Sequence, residues 1–263
     1  MKRISSAVLA VAVMLTAGLT LAAGEAATGT LSGKMMISTT TPMSEGMVYI
    51  YNLANGPAPS HERYWRVPDF VERLDKEGRF SLDLPAGEYC VGAIKRHGST
   101  QIGPPQEGDH FLIGLDDKKI PKKYRLSKGE KLDLGVMAGA LPFRALPVKQ
   151  GVTAVEGTVQ DPSGKPVEGV FIFAFVTPTV IGKPLFVSDR SDKDGKFLLR
   201  VHEGGTYFLK VRDSYGGGPP RGGSVLDGNK EGPMQKVSLK TGEVVRGVTL
   251  KGLKFPGRGP NKE

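Results

Sequence analysis

One strand-turn-strand sequence is written twice in this chain. Asp75-Lys76-Glu77-Gly78-Arg79-Phe80 leads to Gly87-Glu88-Tyr89, and Asp192-Lys193-Asp194-Gly195-Lys196-Phe197 leads to Gly205-Thr206-Tyr207. Such a repeat restricts the chain to two copies of one small unit, each of a size that can bury its own core. Three further landmarks recur in the same order. Ser44-Glu45-Gly46-Met47 aligns with Val167-Glu168-Gly169-Val170 ahead of an apolar run, Gly103-Pro104-Pro105 with Gly218-Pro219-Pro220, and Ser127-Lys128-Gly129-Glu130 with Lys240-Thr241-Gly242-Glu243. Their offsets drift from 123 to 113 residues, as loops of unequal length would produce on equivalent scaffolds.

Within each copy the apolar residues recur with period two. Phe80, Leu82 and Leu84 alternate with polar residues, as do Phe197, Leu199 and Val201. Each run starts after an Asp-x-x-Gly turn, where Gly takes a positive φ and Asp bonds the turn backbone. Nineteen prolines and 36 glycines leave few windows for a helix. The one helical candidate, 68–74, fits an edge strand equally. Val170 to Phe175 is apolar throughout, so that strand is either central or has its outer face covered by a loop or the other domain. The expected fold is all-β, with two tandem sandwiches of about seven strands each.

Lys2 and Arg3 precede an apolar run from Ala7 to Leu21, and small residues follow to Ala27, which is the layout of a secretory signal peptide. A 15-residue run is short of the ~20 that span a bilayer, so the expectation is an exported protein, periplasmic or extracellular, without a membrane span. Removing Lys2, Arg3 and Glu25 with the leader lowers the formal charge of +9 by one. The positive residues are scattered, with only Lys118, Lys119, Lys122 and Lys123 clustered behind Asp116 and Asp117, and this argues against nucleic acid as a partner. Cys90 is the only cysteine, which excludes an intramolecular disulfide, and its alternating apolar setting reads as a small buried thiol.

In the second copy, Gly157-Thr158-Val159-Gln160-Asp161-Pro162-Ser163-Gly164-Lys165-Pro166-Val167-Glu168-Gly169-Val170, then Asp192 to Phe197, then Gly205-Thr206-Tyr207 stand in order over about residues 152–212. This segment resembles the carboxypeptidase regulatory-like family of prealbumin-like (transthyretin-like, Ig-like) sandwiches. The resemblance implies the fold and little about chemistry, since such domains are attached to many unrelated proteins. The first copy lacks the Asp-x-x-Gly-x-Pro opening and carries an insertion over 52–74. The expected organisation is a signal peptide at 1–27, a first sandwich at 28–142, a linker at 143–151, a second sandwich at 152–252 and a disordered basic tail at 253–263.

No catalytic, cofactor or metal set emerges from the motifs. A metallocarboxypeptidase zinc site needs His-x-x-Glu and a distant His, and none of His61, His97, His110 or His202 has Glu three residues on. Asp192-x-Asp194-Gly195 is too short for an EF-hand loop, and its turn role explains both acids. The chain reads as non-enzymatic, without a cofactor. Binding is expected on loops: Arg63, Tyr64, Trp65 and Arg66 in the insertion, whose residue types are enriched in binding hot spots, and Tyr215 and Arg221 in the second Gly-Pro-Pro loop. Trp65 also fits a place capping the core of its own domain or packed between the two domains. The partner classes are a protein, including an oligomeric or fibrous surface assembly, or a polysaccharide held by Trp65 and its neighbours.

Overall fold

The computed structural model describes residues 28–98, 102–144, 150–178, 182–215, 223–227 and 234–254, and every regular element among them is a β-strand. The leader, most of the linker, Arg221 and the tail beyond 254 lie outside the described residues. The first half contributes β1 (Thr28–Met35), β2 (Met47–Asn52), β3 (Trp65–Arg66), β4 (Phe70–Arg73), β5 (Arg79–Pro85), β6 (Gly87–Lys95), β7 (His110–Ile113), β8 (Tyr124–Leu126), β9 (Lys131–Met137) and β10 (Leu141–Pro142). The second contributes β11 (Thr153–Gln160), β12 (Phe171–Phe175), β13 (Phe186–Val187), β14 (Lys196–Val201), β15 (Gly205–Arg212), β16 (Val225–Asp227), β17 (Gln235–Leu239) and β18 (Val244–Lys254).

The two halves pair their strands in the same way. In each, the opening strand is antiparallel to the strand after the Asp-x-x-Gly turn and parallel to the last long strand, giving β5-β1-β9 and β14-β11-β18. The facing layer is β4-β2-β6 with β7 and β8 on β6, and β13-β12-β15 with β16 and β17 on β15. Residues 68–74 resolve as an edge strand, because β4 supplies the backbone partners that β2 needs on that side. Each sandwich encloses its own core. Leu31, Val48, Ile50, Phe80, Leu84 and Tyr89 fill the first, and Val155, Ile172, Leu199, Tyr207, Leu209 and Leu250 the second.

The recurring motifs each have a local cause. One Asp75 carboxylate oxygen accepts from the amides of Glu77 (2.9 Å) and Arg79 (2.7 Å), and one Asp192 oxygen from those of Asp194 (2.9 Å) and Lys196 (2.8 Å). Gly78 and Gly195 follow at φ 78° and 72°. The Gly-x-Tyr signature places a ring over its glycine, and the hydroxyl donates to a carbonyl four residues back: Tyr89 to Pro85 at 2.6 Å, Tyr207 to Glu203 at 2.9 Å. Glu130 and Glu243 close their own turns by accepting from the amides of Ser127 and Lys240. The missing opening hairpin of the first copy also has a substitute. Met36 bridges Pro42 as Gln160 bridges Pro166, with the Ser38 hydroxyl accepting from Thr40 and Thr41 where Asp161 serves Ser163 and Lys165.

The structure corrects the alignment by one residue ahead of β2 and β12. Counting from the paired tyrosines Tyr89 and Tyr207, Tyr49 lies opposite Gly92 and Phe173 opposite Lys210, so Tyr49 corresponds to Phe173. Matching Gly46 to Gly169 would place every following side chain on the wrong face. The equivalent residues are Glu45 and Gly169, both at positive φ (55° and 78°). The shared Glu-Gly dipeptide is a coincidence of composition, and the turn geometry is what the two copies share.

Substituting the turn glycines should separate strain from clash. Gly164→Ala meets open space at φ 85° and should cost only the left-handed penalty of about 1–2 kcal/mol. Gly195→Ala adds a Cβ 2.5 Å from the Val159 carbonyl oxygen and should cost clearly more in urea denaturation.

Candidate functional site

The insertion of the first sandwich is held in shape by a buried ion pair. The Arg66 guanidinium donates to the Asp69 carboxylate (2.8 Å) and to the carbonyls of Pro57 (2.6 Å) and Asn52 (2.7 Å), while Asp69 also accepts from the Asn52 amide and the Asn55 side chain, both at 2.6 Å. Removing a guanidinium from water is costly unless its donors are matched, so the carbonyls of the arm are held around it. Arg66 lies 5.6 Å from the Tyr51 ring.

This arm reaches the other sandwich. Trp65 and Arg66 add as a two-residue antiparallel strand to the edge of β13, opposite Val187 and Phe186, and the Val67 amide donates to the Leu185 carbonyl at 2.9 Å. Tyr64 enters the core of the second sandwich, edge-on to Phe186 (5.4 Å) and His202 (5.2 Å), with its hydroxyl donating to the Ala58 carbonyl at 2.6 Å. Trp65 lies between the halves. Its indole N–H donates to Asp189 (2.8 Å), Arg200 lies over its ring (5.6 Å), and Phe143 and Phe111 of the first half pack against it at 5.6 and 6.3 Å.

The outer faces of two sheets complete this interdomain layer. Alternation along β12 sends Ile172 and Ala174 inward and Phe171, Phe173 and Phe175 outward, where they join Trp65, Val67, Val187 and Met234. From the other side, Tyr49, Tyr51, Cys90 and Ile94 form a second apolar cluster, and Phe111 packs against both. The first Gly-Pro-Pro loop is drawn in by a second buried ion pair. Arg96 donates to Asp109 (2.6 Å), to the Pro104 carbonyl (2.8 Å) and to the Gly103 carbonyl. A Cβ on Gly103, at φ 148°, would stand 3.1 Å from the Phe171 ring and 3.5 Å from Tyr215.

Of the residues expected to bind, Arg63 is exposed, while Tyr64, Trp65 and Arg66 are 4%, 7% and 4% exposed. Tyr215 packs on Phe171 (6.1 Å) and Phe173 (5.6 Å), and Arg221 lies outside the described residues. The structure thus brings Tyr64, Trp65, Arg66 and Tyr215 together around one interdomain layer, with Trp65 between the domains and its ring covered. Phe111, Phe143, Asp189, Arg190 and Arg200 belong to the same layer and were not singled out by motif. Their only signal was the apolar outer face of β12, which required a cover. Among the described residues, the clefts along the seam include two with room for a ligand. One of about 290 Å³ is lined by Trp65, Phe143, Phe171, Asp189, Arg190 and Arg200; one of about 470 Å³ by Val67, Val71, Phe173, Phe175, Lys183 and Lys210, among others. Among the described residues no three His, Cys, Asp or Glu side chains converge as a metal set, and no helix is long and apolar enough to cross a membrane.

No family model matches the chain, and no curated protein matches it. Among solved structures it is similar to the Bacillus anthracis TIE protein, at 12% identity and a TM-score of 0.27 over 86% of this chain and 34% of that one. It is also similar to a Streptococcal ancillary pilin (16%, TM-score 0.26, 88% of this chain and 63% of that one) and to the minor pilin GBS52 of Streptococcus agalactiae (12%, TM-score 0.26, 89% and 100%). The chain spans less than two thirds of the length of the first two.

Trp65→Ala should cost about 3–5 kcal/mol and split urea unfolding into separate transitions for the halves, whereas the exposed Arg63→Ala should stay within about 0.5 kcal/mol. Alkaline pH gives a second test. Burial pushes the Cys90 thiol up to about 11 from an ordinary 9.0, and the Tyr64 hydroxyl up to about 12 from 10.0. Both fold neutral, so their stabilisation is present below the ordinary values and is lost as pH rises through the raised ones. Stability should fall from about pH 9 upward, and Tyr64→Phe should fall less steeply between pH 10 and 12.

Proposed function

We propose that this chain is an exported, non-enzymatic binding or scaffold protein of two tandem carboxypeptidase regulatory-like sandwiches, acting outside the cytoplasm on a protein partner. The observation that carries this reading is the strand addition of Trp65–Arg66 to Phe186–Val187. It fixes the two sandwiches in one mutual orientation, and with it the spacing of the loops and strand edges they display. The charged side chains along the seam support it. Arg66, Arg96 and Arg200 are engaged with Asp69, Asp109 and Asp189, so their chemistry goes into holding the arrangement.

The surface placed first for a protein partner is the outer edge of β9. Among the described residues β9 pairs with β1 alone, and Val136 near its end is 66% exposed. The Gly135 amide is held by the Asp133 carboxylate at 3.0 Å where the pairing with β1 shifts register, so the stretch open to another strand lies on either side of that bulge, beside the exposed Val136. A photo-crosslinking residue at Asp133 on this strand should yield one discrete protein adduct in the living source cell, and the same probe at Asp194 none. Adducts of equal yield at both positions, or turnover by the pure protein in a hydrolase screen, would overturn the reading.

A further inference from the structure

The connection between β7 and β8 departs from its sister loops in a way that turn-making does not require. Four loops use one aspartate oxygen to hold two turn amides: Asp75, Asp116, Asp161 and Asp192. In three of them the left-handed position is Gly78, Gly164 or Gly195, followed by the cationic Arg79, Lys165 or Lys196. In the fourth it is Lys119, at φ 59°, followed by Ile120. A non-glycine residue at positive φ is strained, and strain of this kind collects at functional sites.

The resulting tip combines charge and apolar surface. Lys118, Lys119, Lys122 and Lys123 are all exposed, and none of their ammonium groups makes an ion pair with a described residue. Lys122 lies 5.3 Å from the Tyr124 ring. The Asp116 carboxylate is turned into the hairpin by the Lys118 and Ile120 amides at 2.9 and 3.0 Å, leaving Asp117 as the outward acid. Leu115 and Ile120 flank the tip at 46% and 53% exposure.

We propose that the Leu115–Lys123 hairpin docks this protein onto an anionic lipid surface, with the lysines among the headgroups and Leu115 and Ile120 entering the acyl boundary. Charge complementarity selects an anionic occupant, and the apolar pair selects lipid among anionic occupants. Two isolated side chains on a narrow turn offer far less than the roughly 800 Å² per partner of a stable protein interface, whereas a bilayer demands no matching shape.

The test places an environment-sensitive fluorophore on the hairpin of the full chain through Asp117→Cys. Cys90 is fully buried, so the new thiol is the one that labels, and the signal reports the tip itself. Phosphatidylcholine vesicles containing phosphatidylglycerol should shift the emission to the blue, pure phosphatidylcholine should not, and high salt should reverse the shift. Replacing the four lysines by Gln should weaken vesicle binding by about two to three orders of magnitude, since each lysine near an anionic surface contributes about fivefold. Leu115→Ser with Ile120→Ser should abolish the shift at an unchanged melting temperature. No shift on anionic vesicles, a shift that survives the serine substitutions, or an equal response to soluble polyglutamate would overturn the proposal, the last assigning the hairpin to polyanions in solution.

Discussion

The structure depends on one constraint: each sandwich has a sheet that is apolar on both faces. Ile172 and Ala174 serve the core of the second sandwich, and Phe171, Phe173 and Phe175, alternating with them, point away from it; Val48 and Ile50 alternate with Tyr49 and Tyr51 in the same manner in the first. Neither outer face can be left in water without exposing several aromatic rings in one patch. The two faces therefore share a third apolar layer, and Trp65, Phe111 and Phe143 fill the wedge between them. The main-chain bonds of Trp65–Arg66 to β13 then set the register of one sandwich on the other, which side-chain packing alone would fix less sharply.

A buried layer traversed by loops must also satisfy their backbones. Arg66 and Arg96 do this by collecting carbonyls, Pro57 and Asn52 for one, Gly103 and Pro104 for the other, each alongside an aspartate that neutralises the charge. The arrangement carries a cost, since the Nε of both arginines is buried without a partner. Replacing such a pair by apolar residues would not reproduce it. A hydrocarbon side chain has no donors for the carbonyls, and the arm and the Gly-Pro-Pro loop would lose the centre around which they close.

What the sequence disclosed follows the range of the interactions concerned. Asp75 and Asp192, Gly78 and Gly195, and Tyr89 and Tyr207 act within four residues of themselves, so their motifs announced the hairpins directly. Period two likewise identified the strands, and the uninterrupted apolar run of β12 announced that something must cover it. The sequence left the cover open between a loop, the other domain and an outward binding patch, because Tyr64, Trp65 and Arg66 are residue types found in binding patches and in buried interfaces alike, and only the partner surface distinguishes them. The one-residue error between Gly46 and Gly169 has a related origin: a left-handed turn can be made by Glu45 in one copy and by glycine in the other, so identity of letters misplaced identity of conformation.

The shared pairing scheme also shows where the two halves differ. The shared parts are those that any such sandwich needs, and among the described residues the second copy adds little beyond them. The additions fall on the first: the arm over 52–69 that joins the two bodies, and the β7–β8 hairpin in which a lysine occupies the glycine position. The first sandwich thus carries the internal clasp, and the second supplies the edge strand and the apolar face on which that clasp is seated.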